Sequence, residues 1–502
     1  MSQTLTVALA ALQAATAESH AAEWAVEIRL SAVPPMLEGA SKAVSGMPNQ
    51  AAAIAVNGDV TRRFAAAAAT VALASALTVA FRPSAPPQPE STITIVPQPL
   101  SLALVARAAD VIDRLGVTTH NNYTDGQYAD TSRVIASLRF LGLHHIRDTN
   151  FRPEDQGQNA LAEMGRQGIR VTAYLRSGTS PAVQVARLKR FLAVGPLGLA
   201  MIEGFNEINN EPLVRGNPAE NERAAQLFMS EFYALARADD LLKNIPIAGF
   251  TNYPESVSRS DLIAIHPYAK QGLQPRGTIE SGLNAQRAAQ AADGSRPDAD
   301  KPFIITETGY HTTRVVQPDW ESVDETTQAK FILNTYTAAL SLGCLRTFVY
   351  QLFDGYPDPK GDDRERHFGL FRFDYSPKPA AMALASFTAL LKDEGATAAT
   401  FQPGALGVTV SGAPPTGRSF LVAKSDGTFL VVTWAEGDCW DEATHRPTAA
   451  PVFAQTIAFG RSFRRVEVFD PVAGAAATAT SANARSITVP VSDRPLVVRL
   501  SR

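Results

Sequence analysis

Between about residues 101 and 395, short runs rich in β-branched and aromatic residues alternate with longer segments whose apolar positions recur at helical spacing. The short runs are 116–120 (GVTTH), 144–148 (HHIRD), 169–175 (IRVTAYL), 200–206 (AMIEGFN), 245–250 (IPIAGF), 262–268 (LIAIHPY), 303–308 (FIITET) and 346–353 (RTFVYQLF). Helical patterns stand between them, among them 131–142, 221–239 and 325–343. Strands separated by helices predict βα units and a parallel sheet, and eight of them predict a closed (β/α)8 TIM barrel. In that fold the site lies at the C-terminal ends of the strands, so polar residues there become the candidates. A bridging helix over 380–395 ends the pattern. Short alternating strands then follow at 427–435, 464–470, 486–491 and 496–500, split by Gly, Pro and Asp turns. They predict a small C-terminal β-sandwich over 396–502, read as a support for the barrel, with carbohydrate binding as the alternative.

The N-terminal part reads differently. Residues 64–81 (FAAAAATVALASALTVAF) carry no charge and follow Arg62 and Arg63, a length just under the ~20 residues that span a bilayer. The segment 62–82 is read as a signal or signal-anchor helix, against the alternative of an Ala-rich helix that packs. Residues 83–100 are proline-rich at first and read as a linker, and 1–61 carry no assignment. The barrel is therefore expected outside the cytoplasm, as a periplasmic, secreted or membrane-anchored domain.

A chain of 502 residues has room for two or three domains, and 45% hydrophobic with 19% charged residues suits a globular core. A net charge of −3 offers no basic excess to neutralise phosphates, so a nucleic-acid partner is not expected. Cys344 and Cys439 fit neither a metal-ligand spacing nor a disulfide framework; a single bridge between them stays open.

The chemistry concentrates in two segments. In 200–212 (AMIEGFNEINNEP) an Asn-Glu pair occurs twice, at Asn206-Glu207 and Asn210-Glu211. The apolar run ends at Phe205, which puts Glu207 at the tip of the fourth strand and Glu211 beyond it in a loop. Strand ends hold a side chain more firmly than loops, so Glu207 is favoured over Glu211. The seventh run places Glu307 at its own end, ahead of Gly309. Two carboxylates at one barrel mouth suit general acid and nucleophile chemistry.

These residues resemble the glycoside hydrolases of clan A, in which an acid/base follows an asparagine on strand four and a nucleophile ends strand seven. IEGFNEINN is similar to the corresponding segment of relatives near families 39 and 5, and PFIITETGY to the nucleophile strand. The resemblance covers about 101–395. It implies a retaining glycosidase of poly- or oligosaccharides with Glu207 as acid/base and Glu307 as nucleophile, their carboxyl groups about 5–5.5 Å apart. It also implies that Asn206, His120, Arg147, His266, Tyr268, Tyr310 and Gln351 bind substrate or orient the acids, and that neither metal nor cofactor is used. Arg147 and Tyr268 are expected to hold Glu307 ionised, while Glu207 needs an apolar or anionic surround that keeps its proton. Aromatic side chains near strand ends, Tyr123, Tyr174, Tyr253, Tyr310, Trp320, Tyr350, Phe353 and Tyr356, are candidates for stacking on sugars. At strand eight, YQLFD replaces the tryptophan often found in the clan. A transglycosylase using the same pair, a non-catalytic carbohydrate-binding barrel and a metal-dependent hydrolase on the same fold remain the rival readings, and the long 269–301 loop is where specificity is expected to be set.

Overall fold

The computed structural model describes residues 100–502, apart from 103–104, 150–155, 196–197, 253–256 and 293–300. The expected signal or anchor helix, the region before it and the linker up to residue 99 lie outside the described residues. Among those described, no helix is long and apolar enough to cross a membrane.

Eight parallel strands form the barrel: β3 (Leu115–Thr118), β4 (His145–Thr149), β5 (Arg170–Leu175), β6 (Leu199–Phe205), β7 (Ile247–Ala248), β8 (Ile263–Ile265), β9 (Phe303–Thr308) and β10 (Thr347–Val349). They run in sequence order around the sheet, β10 pairs with β3, and a bridge between Ala248 and Leu262 joins β7 to β8, so the sheet closes. Each predicted run falls on one of these strands. Helices α1 (Ala108–Asp113), α2 (Thr131–Leu141), α3 (Gln156–Arg166), α4 (Pro181–Val194), α5 (Pro218–Ala238), α6 (Pro275–Ala292), α7 (Glu325–Ser341) and α8 (Pro379–Leu391) surround the barrel. Their starts carry local signals: Ser180, Asn217 and Asp324 cap α4, α5 and α7 by accepting from backbone N–H groups, and Pro181 and Pro218 occupy the first turn. Among the described residues, no helix lies between β7 and β8.

Helix α7 is buried nearly all round, although it is rich in Thr, Asn and Gln. Several of its polar groups find backbone acceptors: Thr335 donates to Phe331 O, Thr337 to Leu333 O, Asn334 to Asp493 O and Gln328 to Tyr310 O. It can therefore sit between the barrel and the second sheet.

That second sheet holds β1 (Leu100–Leu102), β2 (Val105–Arg107), β11 (Val408–Ser411), β12 (Arg418–Ala423), β13 (Phe429–Trp434), β16 (Phe453–Phe469), β17 (Ala477–Val491) and β18 (Leu496–Ser501). The long β16 pairs with β11 through Thr456–Phe459 and with β18 through Arg465–Phe469; its register against β17 shifts between Ala458 and Phe463. One hydrogen-bonded sheet thus folds over on itself as a sandwich, with Val408, Phe429, Val431, Phe463 and Val498 inside. β13 is buried on both faces, since Leu430 and Val432 pack into the barrel-side core, which explains its unbroken apolar run FLVVTW. The barrel and this sheet belong to one compact unit.

Two boundaries differ from the expectation. Residues 100–107 belong to the second sheet, with β1 pairing β11 and β2 pairing β12, so the barrel begins at β3 rather than at 101. The supposed loop 269–301 contains α6, whose Ile279 and Leu283 are buried; its many Ala, Gln and Gly positions hid the helical spacing. Cys344 and Cys439 are both buried free thiols.

Candidate active site

Glu207 stands where β6 ends and the chain turns. Its backbone is left-handed, with φ +39°, a conformation rare for a residue with a side chain. The turn is pinned on both sides: Glu207 N donates to Thr251 Oγ1 at 2.9 Å, Thr251 N to Phe205 O at 3.0 Å, and the N–H groups of Asn210 and Glu211 to Glu207 O at 2.8 Å. Glu211 lies in the exposed loop that follows.

Glu307, on β9, is held by two donors. Arg147 Nη1 from β4 reaches Oε2 at 2.7 Å, and the Tyr268 hydroxyl reaches Oε1 at 2.6 Å. Arg147 is fully buried and is itself held by Glu203, which accepts from Nε at 2.7 Å and from Nη2 at 3.0 Å. The same Nη2 donates to Asn206 Oδ1 at 2.7 Å. Burial disfavours both charges of the Arg147–Glu203 pair, but their attraction prevails, raising the guanidinium pKa and lowering that of Glu203. Glu203 is fully buried, and among the described residues no other charge lies as close, so it serves as the counter-ion that fixes Arg147. Burial, with the Glu307 charge beside it, pushes Tyr268 well above its usual value, so its hydroxyl keeps its proton and donates.

His266 links the two halves of the site. Its Nδ1 lies 2.8 Å from Glu207 Oε1 and its Nε2 3.0 Å from Thr306 Oγ1, with Glu203 Oε1 at 3.8 Å. Burial opposes its charge, yet Glu307, Glu203 and Glu207 together raise its pKa to about 9. Burial likewise favours neutral Glu207, but the hydrogen bond and charge of His266 and a bond from Asn210 Nδ2 at 2.7 Å bring it to about 2. This corrects the expected surround of Glu207: its neighbour is a cation, and at neutral pH the proton of the pair rests on the imidazole. With Arg147 and His266 cationic and three glutamates anionic, the cluster carries one net negative charge.

A carboxylate oxygen of Glu207, a ring nitrogen of His266 and a carboxylate oxygen of Glu307 lie within 4.8 Å of one another. These are the donor atoms a metal ion would need, and each glutamate already accepts the hydrogen bonds given above. The pair opens into a cavity of about 870 Å³, whose wall includes Tyr268, Lys270, Trp320, Arg364, Glu365 and Phe368. On its far side α6 contributes Thr278 and Ser281, so the misread segment does border the site.

The remaining candidates are placed apart from this cluster. His120 is buried and stacks on Tyr123 with centroids 4.5 Å apart; burial, reinforced by Arg147, lowers its pKa to about 3, and among the described residues no group hydrogen-bonds its Nε2. Tyr310 does not line the cavity. Its hydroxyl donates to Leu273 O at 3.0 Å and its ring packs on Phe331 of α7, because the chain turns outward after Gly309. Gln351 is buried and spent on structure: its Oε1 accepts from Tyr128 OH at 3.1 Å and its Nε2 donates to Glu365 O at 2.9 Å. Phe353 is core, and Tyr253 lies outside the described residues. Sequence reasoning missed Glu203, Thr306 and Lys270. Glu203 had a signal: a lone charge inside an apolar strand must find a partner, and Arg147 is its counterpart inside β4.

No family model matches the sequence, and no curated protein matches it. Solved structures do. A family 39 glycoside hydrolase from the gut symbiont Bacteroides cellulosilyticus WH2 aligns at 16% identity over 78% of this chain and 82% of its own, with a TM-score of 0.51. A family 39 β-xylosidase from Caulobacter crescentus aligns at 13% identity over 80% of this chain and 98% of its own, with a TM-score of 0.50. At these identities the likeness establishes the fold, a (β/α)8 barrel with an appended β-domain.

Proposed function

We propose that the chain is a retaining glycoside hydrolase acting on an oligo- or polysaccharide outside the cytoplasm, with Glu307 as nucleophile and Glu207 as acid/base. The observation that carries this reading is the pair itself: carboxylate oxygens within 4.8 Å, from the ends of the fourth and seventh barrel strands, with different partners. An approach this close between single oxygens favours the ~5–5.5 Å carboxyl separation of retaining enzymes over the ~6.5–9.5 Å of inverting ones. The family 39 fold supports it, and the uncharged segment 64–81 supports export.

Glu307, oriented by its hydrogen bonds from Arg147 and Tyr268, attacks the anomeric carbon as the bond to the leaving oxygen breaks. That oxygen takes a proton from Glu207, which has received it from His266 across their 2.8 Å hydrogen bond, so the pair is left as carboxylate and neutral imidazole. A bound sugar excludes water and favours the neutral form of the pair, acid plus imidazole, over the charged one. Once the glycosyl ester forms, the charge of Glu307 is gone, and with it one of the charges that kept His266 protonated. Glu207 then takes the proton of the attacking water, and Glu307 is released. Asn206 has its Oδ1 committed to Arg147, so it meets the sugar with its N–H2 group, suited to a hydroxyl oxygen.

The test is a panel of aryl glycosides and polysaccharides with residues 83–502, wild type and Glu307→Gly. A dead variant revived by azide, giving a glycosyl azide of inverted configuration, is expected. Wild-type turnover that survives in Glu307→Gly, or products of inverted configuration from the wild type, would overturn the assignment.

A further inference from the structure

Part of the cavity wall is held from outside the barrel. Between β13 and β16 the chain leaves the second sheet, forms the short hairpin β14 (Trp440–Asp441) and β15 (Arg446–Pro447), and runs along the barrel loops. Glu436 Oε2 accepts from Arg276 N at 3.0 Å, and Gly437 O from Gln274 Nε2 at 2.8 Å. The Trp440 indole lies flush on Gly272, where φ is +64° and an added Cβ would come within 2.2 Å of Cδ1. Its Nε1 donates to Glu321 Oε1 at 2.8 Å, and His445 Nδ1 meets the same oxygen at 2.5 Å.

Glu321 is 8% exposed and directly follows Trp320. Its N–H donates to Gln271 Oε1 at 2.8 Å, while Gln271 Nε2 donates to Pro318 O at 2.9 Å. Segments 270–276 and 317–321 are thereby tied to each other and to the second domain. They carry Lys270 and Trp320, which both line the cavity; the Lys270 ammonium stands 4.4 Å over the Trp320 ring. A buried carboxylate is a poor way merely to join two domains, because an apolar contact would cover the same area without desolvating a charge. What it adds is direction, since two donors converging on one oxygen fix the backbone beside Trp320.

We propose that Trp440 and His445 are positioning residues of the carbohydrate site, acting through Glu321 to fix Trp320 and Lys270 in the wall, so that the second domain sets affinity for sugar units beyond the cleaved bond. This rests on the glycosidase reading. The test labels the full chain with 5-fluorotryptophan; of its four tryptophans, Trp320 is assigned with Trp320→Phe, and Trp434, wholly buried in the second domain, reports on folding. In Trp440→Phe, His445→Ala and Glu321→Ala the Trp320 resonance shifts or broadens while that of Trp434 stays, and Glu321→Gln, which keeps an acceptor oxygen, restores it. With activity, Trp440→Phe raises KM for an oligosaccharide at least threefold with kcat within twofold, and leaves KM for the aryl monoglycoside of the same sugar unchanged. A Trp320 resonance that stays put in Trp440→Phe and Glu321→Ala, with Trp434 intact, would overturn the proposal. Where Trp440→Phe unfolds the second domain, His445→Ala, at a side chain 41% exposed, decides in the same way. The fluorine spectrum needs no substrate, so its failure counts against positioning, whereas absence of cleavage with the expected spectra counts against the glycosidase reading.

Discussion

Replacing His266 with asparagine tests where the catalytic proton is stored. In the wild type the His266–Glu207 pair shares one proton across 2.8 Å, with His266 at about 9 and Glu207 at about 2. The pair therefore stays charged with its proton up to about pH 9, and the basic limb of kcat/KM should fall there. Without the imidazole, Glu207 must bind the proton alone, beginning from its usual 4.5 with burial raising it. At 4.5 it would be protonated at pH 7 in about one molecule in 300, a difference of roughly 3.4 kcal/mol at 1.36 per tenfold. His266→Asn is thus expected to have its basic limb in the carboxylic-acid range and at pH 7 to stand up to about 300-fold below its own low-pH plateau, where the wild type is still on its plateau. The assay is a pH profile from 4 to 10 on two aryl glycosides of one sugar. A dinitrophenyl leaving group needs no proton and should lose far less than a phenyl one. If the basic limb of the variant coincides with that of the wild type, the proton does not reside on His266 and the reasoning is wrong.

Three further outcomes can be checked. His266 has a folded pKa of about 9 against the usual 6.5, so the stability it confers is complete below about pH 6.5 and disappears as pH rises through 9. The wild-type Tm should therefore fall more than that of His266→Asn between pH 7 and 10, and parallel curves would count against it. Glu203→Gln strips Arg147 of its bidentate buried partner, which should cost about 3–5 kcal/mol in urea denaturation. Adding Arg147→Met should return part of that loss, and a double variant no more stable than the single one would contradict the pairing. Glu211→Gln should keep kcat/KM within about twofold, whereas Glu207→Gln should lose about 10²–10⁴-fold on the phenyl glycoside; the reverse order would mean that the turn after β6 is misplaced.

The eight barrel strands were legible because each is an apolar run with a polar end, and the cores of a parallel barrel demand that pattern. Tyr268 and Arg147 meeting Glu307 was what the clan resemblance implied, and the structure brings both to it. What stayed hidden depends on contacts across sequence. Residues 101–107 read as the start of the barrel until their partners, more than 300 positions later, are known. Helix α6 was masked by small and polar residues on the face that borders the cavity. Tyr310 and Gln351 sit close to strand ends, yet a turn of the backbone decides whether such a side chain meets the cavity or the helices, and no spacing reports that turn. The surround of Glu207 was misjudged for another reason: His266 was read as binding sugar or orienting the acids, and its 2.8 Å approach to Glu207 was invisible in the chain.

The pairing of β2 with β12 has a consequence for the nascent chain. Val105 must wait for Leu421, 316 residues later, which at ~5–20 residues per second is roughly 15–60 s of translation. During that time β1 and β2 offer unpaired edges ahead of a barrel that can already close. A message truncated after α8 would release a barrel still trailing those two edge strands, and strands of that kind recruit one another. The unit of expression is therefore the barrel together with β11 and β12, and their synthesis is the moment at which the first strands find their place.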